Sequence, residues 1–303
     1  MRRPLIAFAA LAVAALLFGA TFVVVKDAVA ATPPMRFVGW RFLLGALVLF
    51  AIRVPRGKKL WRDGTVAGLF LFAGYALQTQ GLTTTSASNS GLITGLYVVL
   101  TPLMAALLAR RRPRPLVIGG ALLAFAGFAV LAVVDDLALS SGDAYTIGCA
   151  VAFAGHIVFL ARTAHWHQVV PFTAVQLLVT AVLGLIASAV AEGTGVPAQD
   201  AWPAIAITGV VVSAGAFYLQ VWSQTVIGPS RTAIILALEP GFAAGSGALF
   251  LGERLGARGL TGALLILAGI YVVLAGTGPE DDLERAAIGS PRDQLSALPQ
   301  AES

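Results

Sequence analysis

The chain has 303 residues, of which 58% are hydrophobic and only 12% charged, and its mean hydropathy is +0.86. A soluble domain runs near half apolar and a quarter charged, so this balance excludes one. The net charge of +5 does not mark a nucleic-acid binder, because the basic residues sit in short gaps between apolar runs rather than on one polar face.

Ten apolar runs follow in chain order, at 5–25, 36–52, 64–82, 89–109, 116–134, 143–161, 172–191, 204–222, 232–251 and 258–276. About 20 apolar residues in a helix, at about 1.5 Å each, match a hydrocarbon core about 30 Å thick. The expected fold class is therefore all-α integral membrane, with ten transmembrane helices. The first run begins after Arg2 and Arg3 and is followed by Ala28-Val29-Ala30, a pattern shared with secretory signals. The run is longer than a signal core, and Lys26-Asp27 precedes the triplet, so it is read as a retained span.

The gaps carry the topology. Fifteen Lys and Arg residues fall at the N-terminus, in alternate loops and in the tail, and four (Lys26, Arg36, Arg254 and Arg258) fall on the other side. The positive-inside rule then puts both termini in the cytoplasm of a multi-pass protein of the plasma or inner cell membrane. Residues 277–303 are acidic, contain Pro and Ser, have no apolar period and read as a disordered cytoplasmic tail. The only cysteine, Cys149, lies inside the sixth run, so no intramolecular disulfide is possible.

The second five runs resemble the first five. Phe18-Gly19-Ala20 lines up with Phe153-Ala154-Gly155, and Gly74-Tyr75-Ala76-Leu77-Gln78 with Ala216-Phe217-Tyr218-Leu219-Gln220. Thr101-Pro102 faces Glu239-Pro240, and Gly120 and Gly127 face Gly262 and Gly269. The shared order of these weak matches is the signal. An odd number of spans per half makes the second copy cross in the opposite sense, so 5–134 and 143–276 are expected to be inverted-topology five-helix repeats.

The run from Thr84-Thr85-Ser86-Ala87-Ser88-Asn89 to Thr101-Pro102, together with Leu238-Glu239-Pro240, Leu251-Gly252-Glu253 and Gly262 to Gly269, resembles the EamA family of the drug/metabolite transporter superfamily. Arg41-Phe42 and Gly142-Asp143 fit as well. The resemblance covers about residues 5–276 and implies a ten-helix metabolite transporter with both termini cytoplasmic. Phe18 and Phe153 stand where the family often has Trp.

Candidate solute-binding residues are the polar and aromatic groups inside runs. Glu239 stands about 12 Å deep in the ninth run. It is either a cavity group able to carry a proton or a brace hydrogen-bonded to a neighbouring helix. Pro240 cannot donate to the Leu236 carbonyl, nor Pro102 to that of Val98, so both helices are expected to be kinked or opened near mid-depth. His156 is read first as a polar interhelix contact and second as a proton-exchanging group. Arg41 could bind a carboxylate, but its shallow position favours snorkelling to the outer interface. Gln78 and Gln220 are repeat mates suited to paired gates, and Tyr75, Tyr97, Tyr218 and Trp222 could line the same space. Trp61, Trp166 and Trp202 suit interface anchoring.

His165-Trp166-His167 has no nearby carboxylate in sequence and reads as solvated or at headgroup level, not as a metal site. Asp135-Asp136 read as ordinary outer-turn acids. The glycines of the fifth and tenth runs suit packing within the chain, with a homodimer seam as the lesser reading. No Gly-x-x-x-x-Gly-Lys loop or His-Glu-x-x-His motif occurs, so no cofactor is expected. The expected partners are a small-molecule solute and membrane lipid. The leading function is secondary transport by alternating access rather than catalysis. The alternative is a membrane-embedded enzyme acting on a lipid-linked substrate, which should gather acids or histidines at one membrane face.

Overall fold

The structure is a computed structural model that describes residues 2–108, 110, 112–132, 140–227, 232, 235–254 and 256–276. The tail at 277–303 and the pair Asp135-Asp136 lie outside the described residues. The described residues are helical with short connections and contain no strand. In chain order the helices are α1 (Arg2–Ala31), α2 (Pro34–Ile52), α3 (Lys58–Gly81), α4 (Ala87–Thr94), α5 (Leu96–Leu108) and α6 (Pro115–Ala132). After these come α7 (Ser141–Thr163), α8 (Val169–Ala191), α9 (Trp202–Ile207), a π-helical stretch (Thr208–Ala216), α10 (Phe217–Val226), α11 (Glu239–Phe250) and α12 (Ala257–Gly276).

Among the described residues, six helical segments are long and apolar enough to cross a membrane. They are Leu5–Ala31, Pro34–Ile52, Ala87–Leu108, Ser141–Trp166, Val169–Ala191 and Gln199–Val226, with shorter apolar helices at Pro115–Gly127 and Ala257–Val273. Large apolar side chains such as Leu47, Val190, Leu249 and Phe250 face outward. Such a surface is costly in water and suits lipid. Inside, the packing leaves Gln78, Thr94, His156, Gln176, Ser213, Gln220 and Glu239 buried, so the polar groups of the runs turn toward one another.

The helix starts follow local chemistry. Ser140 Oγ accepts the Asp143 N–H at 3.1 Å as an N-cap, and its hydroxyl donates to the Asp143 carboxylate at 2.7 Å. The start of α4 is satisfied from two places. Ser86 Oγ accepts the Asn89 N–H at 3.0 Å. Glu253, far along the chain, accepts the Ala87 and Ser88 N–H groups at 2.9 and 2.8 Å. Gly252 has φ +63°, which lets the chain turn back after α11 and aim Glu253 at α4.

Helix pairing follows a pattern. α2 packs against α8 and α6 against α12; α3 packs against α7, while α1 packs against α10 and the π-helical stretch. The α6–α12 crossing is close, backbone against backbone. A Cβ at Gly120 would lie 2.7 Å from the Gly269 carbonyl, and one at Gly127 would lie 2.7 Å from the Gly262 carbonyl. These glycines are therefore engaged within the chain.

Candidate functional site

The helices of the fourth and ninth runs are broken beside each other, as expected, but not both at the expected residue. The fourth run stops at Thr94 and restarts at Leu96, with Gly95 between. A Cβ at Gly95 would overlap the ring of Pro240, so glycine alone lets α11 approach there. In the ninth run a turn at Ala237-Leu238 precedes α11, whose first residues are Glu239 and Pro240.

The expected opening in the fourth run is thus displaced from Pro102, which sits inside α5, to Gly95. Pro240 stands in the first turn of a new helix, where its missing N–H costs no bond. The Leu236 carbonyl lies before this break and faces the Tyr97 hydroxyl at 3.2 Å.

The same hydroxyl lies 2.7 Å from Glu239 Oε2 and donates to it as the shorter of its two bonds. Glu239 is buried, and no described cation stands within ion-pair distance of it. Around the pair, Phe18, Tyr75, Phe153, His156, Phe217 and Gln220 help to line one cavity. The cavity is an aromatic box closed by a single carboxylate. The ring pairs are Phe18–Phe217 at 5.0 Å and Tyr75–Phe153 at 5.2 Å. In the alignment of the halves, Phe18 matches Phe153 and Phe217 matches Tyr75, so one ring pair maps onto the other.

The box is nearly shut. Its free space is about 30 Å³, room for one or two waters, whereas sites for small molecules hold several hundred Å³. A solute therefore enters only if the rings or their helices separate.

Five of the eight residues singled out from sequence line this space: Tyr75, Tyr97, His156, Gln220 and Glu239. His156 also meets Gln176 at 2.9 Å, an interhelix contact between α7 and α8. Gln78 is buried beside the box rather than in its wall, and its Nε2 donates to Thr94 Oγ1 at 3.3 Å. Tyr218 is half-buried and outside the wall, its place taken by Phe217.

Arg41 does not snorkel. It is 1% exposed, its Nε donates to Ser213 Oγ at 3.0 Å, and its guanidinium lies 4.9 Å from the centre of the Tyr75 ring. The cause is its neighbours: the π-helical stretch presents Ser213, and Phe42 and Tyr75 offer ring faces that replace part of the lost hydration. The sequence reading passed over Phe18, Phe153 and Phe217 as wall residues. Their alignment with one another and with Tyr75 was the available signal.

The loop that carries His165 and His167 also departs from expectation. His167 Nε2 lies 2.9 Å from Asp63 Oδ2, so the histidine pair does have a carboxylate partner, brought from a distant helix. Trp61, Trp166 and Trp202 are all partly exposed at helix ends, as interface anchors would be.

The EamA-like transporter family model matches residues 5–133 and again 140–275. A protein of Archaeoglobus fulgidus named "Uncharacterized transporter" is 31% identical over 266 residues, 87% of this chain and 84% of its own. "Uncharacterized transporter YvbV" of Bacillus subtilis is 28% identical over 276 residues, 87% of this chain and 90% of its own. A solved crystal structure superposes with a TM-score of 0.64 over 86% of this chain and 94% of its own at 22% identity, a likeness of fold alone. With two family matches that together span most of the chain, this multi-pass membrane protein belongs to the EamA-like transporter family.

Proposed function

We propose that the aromatic box is the solute site of a secondary transporter that works by alternating access, and that its solute is a small molecule with an apolar body and one positive charge. The observation that carries this is Glu239. A buried carboxylate with no described cation beside it is costly unless it is neutralised, so the site calls for a cation or a proton. Aromatic faces around a carboxylate favour an organic cation over a bare metal ion or an anion. One wall group serves two occupants, which makes exchange of a proton for the cation the natural coupling.

Alternating access is supported by the order of the repeat, by ring pairs that map onto each other, and by α2–α8 and α6–α12 contacts that join equivalent spans of the two halves. In this reading the chain crosses the membrane ten times, as inverted halves 5–134 and 143–276 with both termini cytoplasmic. The enzyme alternative has one supporting observation, the Asp63–His167 pair at a helix end. Those two groups face each other, and the relatives carry transporter names, so transport is preferred.

The test is thermal stability of the purified chain with three ligands that share a ring and differ in charge: benzyltrimethylammonium, benzyl alcohol and benzoate. The cation alone should raise the unfolding temperature in proportion to the logarithm of its concentration, and Glu239→Gln should abolish the rise. Equal stabilisation by benzoate or benzyl alcohol would overturn the charge assignment.

A further inference from the structure

A second, wider cavity lies away from the aromatic box. It occupies about 660 Å³ between the α2–α3 connection and the α7–α8 connection. Its polar wall is Arg53, Arg56 and Lys59, with His167 and Gln168 opposite. Its apolar wall is Ile52, Val54, Leu60, Trp166 and Pro171. Both connections are loops that the charge bias assigns to the cytoplasmic face.

Three features make this more than a solvated basic loop. First, the nearby acid is already occupied. Asp63 accepts from Arg62 Nε at 2.9 Å and meets His167 Nε2 at 2.9 Å. Burial alone would push the Asp63 carboxyl up, but hydrogen bonds from His167 and Arg62 hold it below the usual carboxylate range, so its charge is spent within this cluster. Arg53, Arg56 and Lys59 make no ion pair among the described residues.

Second, the cluster sets the shape of the cavity. The Asp63–His167 bond ties the start of α3 to the loop before α8, and Lys59 Nζ stands 3.7 Å from the centre of the Trp166 ring. Third, large apolar side chains of the same wall are exposed: Ile52 at 66%, Val54 at 60% and Trp166 at 53%. A soluble anion has no use for them. A lipid does, because its acyl chains cover the apolar side while its phosphate meets the cations at the boundary between hydrocarbon and headgroup.

We infer that this cavity binds the headgroup phosphate of an anionic membrane lipid, with Arg53, Arg56 and Lys59 as the charge partners and Trp166 packing at the headgroup level. The lipid thereby bridges the α2–α3 and α7–α8 connections. The inference rests on the membrane reading and not on the solute assignment, so either can fail alone.

The test uses the full chain in a neutral detergent, titrated with phosphatidylglycerol, with phosphatidylcholine, or with inorganic phosphate, and followed by unfolding temperature. Phosphatidylglycerol should stabilise the wild type, and phosphatidylcholine at equal concentration should not. In the triple variant R53Q/R56Q/K59Q the apparent affinity for phosphatidylglycerol should fall on the order of 100-fold, at about fivefold per cation. Arg53→Lys with Arg56→Lys keeps the charge and should keep most of the effect. This second variant remains informative if the triple variant folds poorly. Equal stabilisation of the wild type by both lipids would overturn the site. So would a change below threefold in the triple variant, or loss of the effect in the Lys pair. Stabilisation by inorganic phosphate matching that by phosphatidylglycerol would overturn the lipid as the source.

Discussion

Removing Glu253 should loosen the end of the molecule that the charge bias assigns to the outside. Its carboxylate takes two of the four N–H groups that open α4, those of Ala87 and Ser88 at 2.9 and 2.8 Å. The Ser86 hydroxyl accepts a third, that of Asn89, and the Ser86 carbonyl takes the first ordinary helical bond, from Ser90. Two of the three N–H groups that side chains satisfy are thus held by the other half of the chain.

Hydrogen bonds to a charged group contribute about 1.5–3 kcal/mol each. Glu253 is only partly buried, so the lower value applies, and Glu253→Ala should cost about 3 kcal/mol. If the outer side opens by parting α4 from α11, most of that cost falls on the closed state alone. The open population then rises on the order of 100-fold.

Ser88 is 1% exposed here, so a cysteine at Ser88 in a Cys149→Ala background reports the opening. Its labelling by an impermeant maleimide from outside should speed up at least tenfold in the Glu253→Ala chain. A rate within twofold of the Glu253 parent would refute the idea that this bond holds the outer side shut.

Four further outcomes follow from the same geometry. Arg41→Met should leave the unfolding temperature nearly unchanged or raised, by calorimetry in detergent, because a buried guanidinium with one unpartnered nitrogen is weak evidence of net stabilisation; a loss above about 3 kcal/mol would contradict this. Asp63→Asn should cost about 1–3 kcal/mol, since His167 and Arg62 lose a charged acceptor, and an unchanged unfolding temperature would show the pair to be idle. Gly120→Leu places a side chain where the Gly269 carbonyl and Val273 backbone stand, so folded yield on size exclusion should collapse. Wild-type yield with only a changed oligomer would instead mark a dimer seam. Cysteines at Ser140 and Gly195 should label from outside, and those at Lys58 and Arg112 only after permeabilisation; outside labelling at Lys58 would reverse the orientation.

Much of this architecture was readable because hydrophobic run length and loop charge are coarse, additive signals. The start of α1 and the extents of α2 and α8 follow from where the apolar runs begin and end, whereas the glycines that the repeat aligns, Gly120 with Gly262 and Gly127 with Gly269, meet crosswise in the structure. The exact breaks were not readable. Pro102 promised one that a nearby glycine supplied, because Gly95 owes its position to the Pro240 ring, a contact that no local pattern contains.

The fate of Arg41 was hidden for the same reason. Depth along a helix says how far a side chain must reach for water, not whether Ser213 and two aromatic rings wait on the inner side. The role of Glu253 was visible only as a family motif. Its chemistry, a carboxylate capping a helix in the other half, needed the two ends in one place.

The account turns on Glu239 carrying exchange between a proton and an organic cation in the aromatic box. The direct measurement is accumulation of benzyltrimethylammonium, a permanent cation that cannot be trapped by protonation, in proteoliposomes under an imposed pH gradient. Wild-type vesicles with an acidic lumen should accumulate it above the external concentration. Glu239→Gln vesicles with equal folded protein should equal protein-free controls. No accumulation by the wild type in either gradient direction, or full accumulation by Glu239→Gln, would contradict the account.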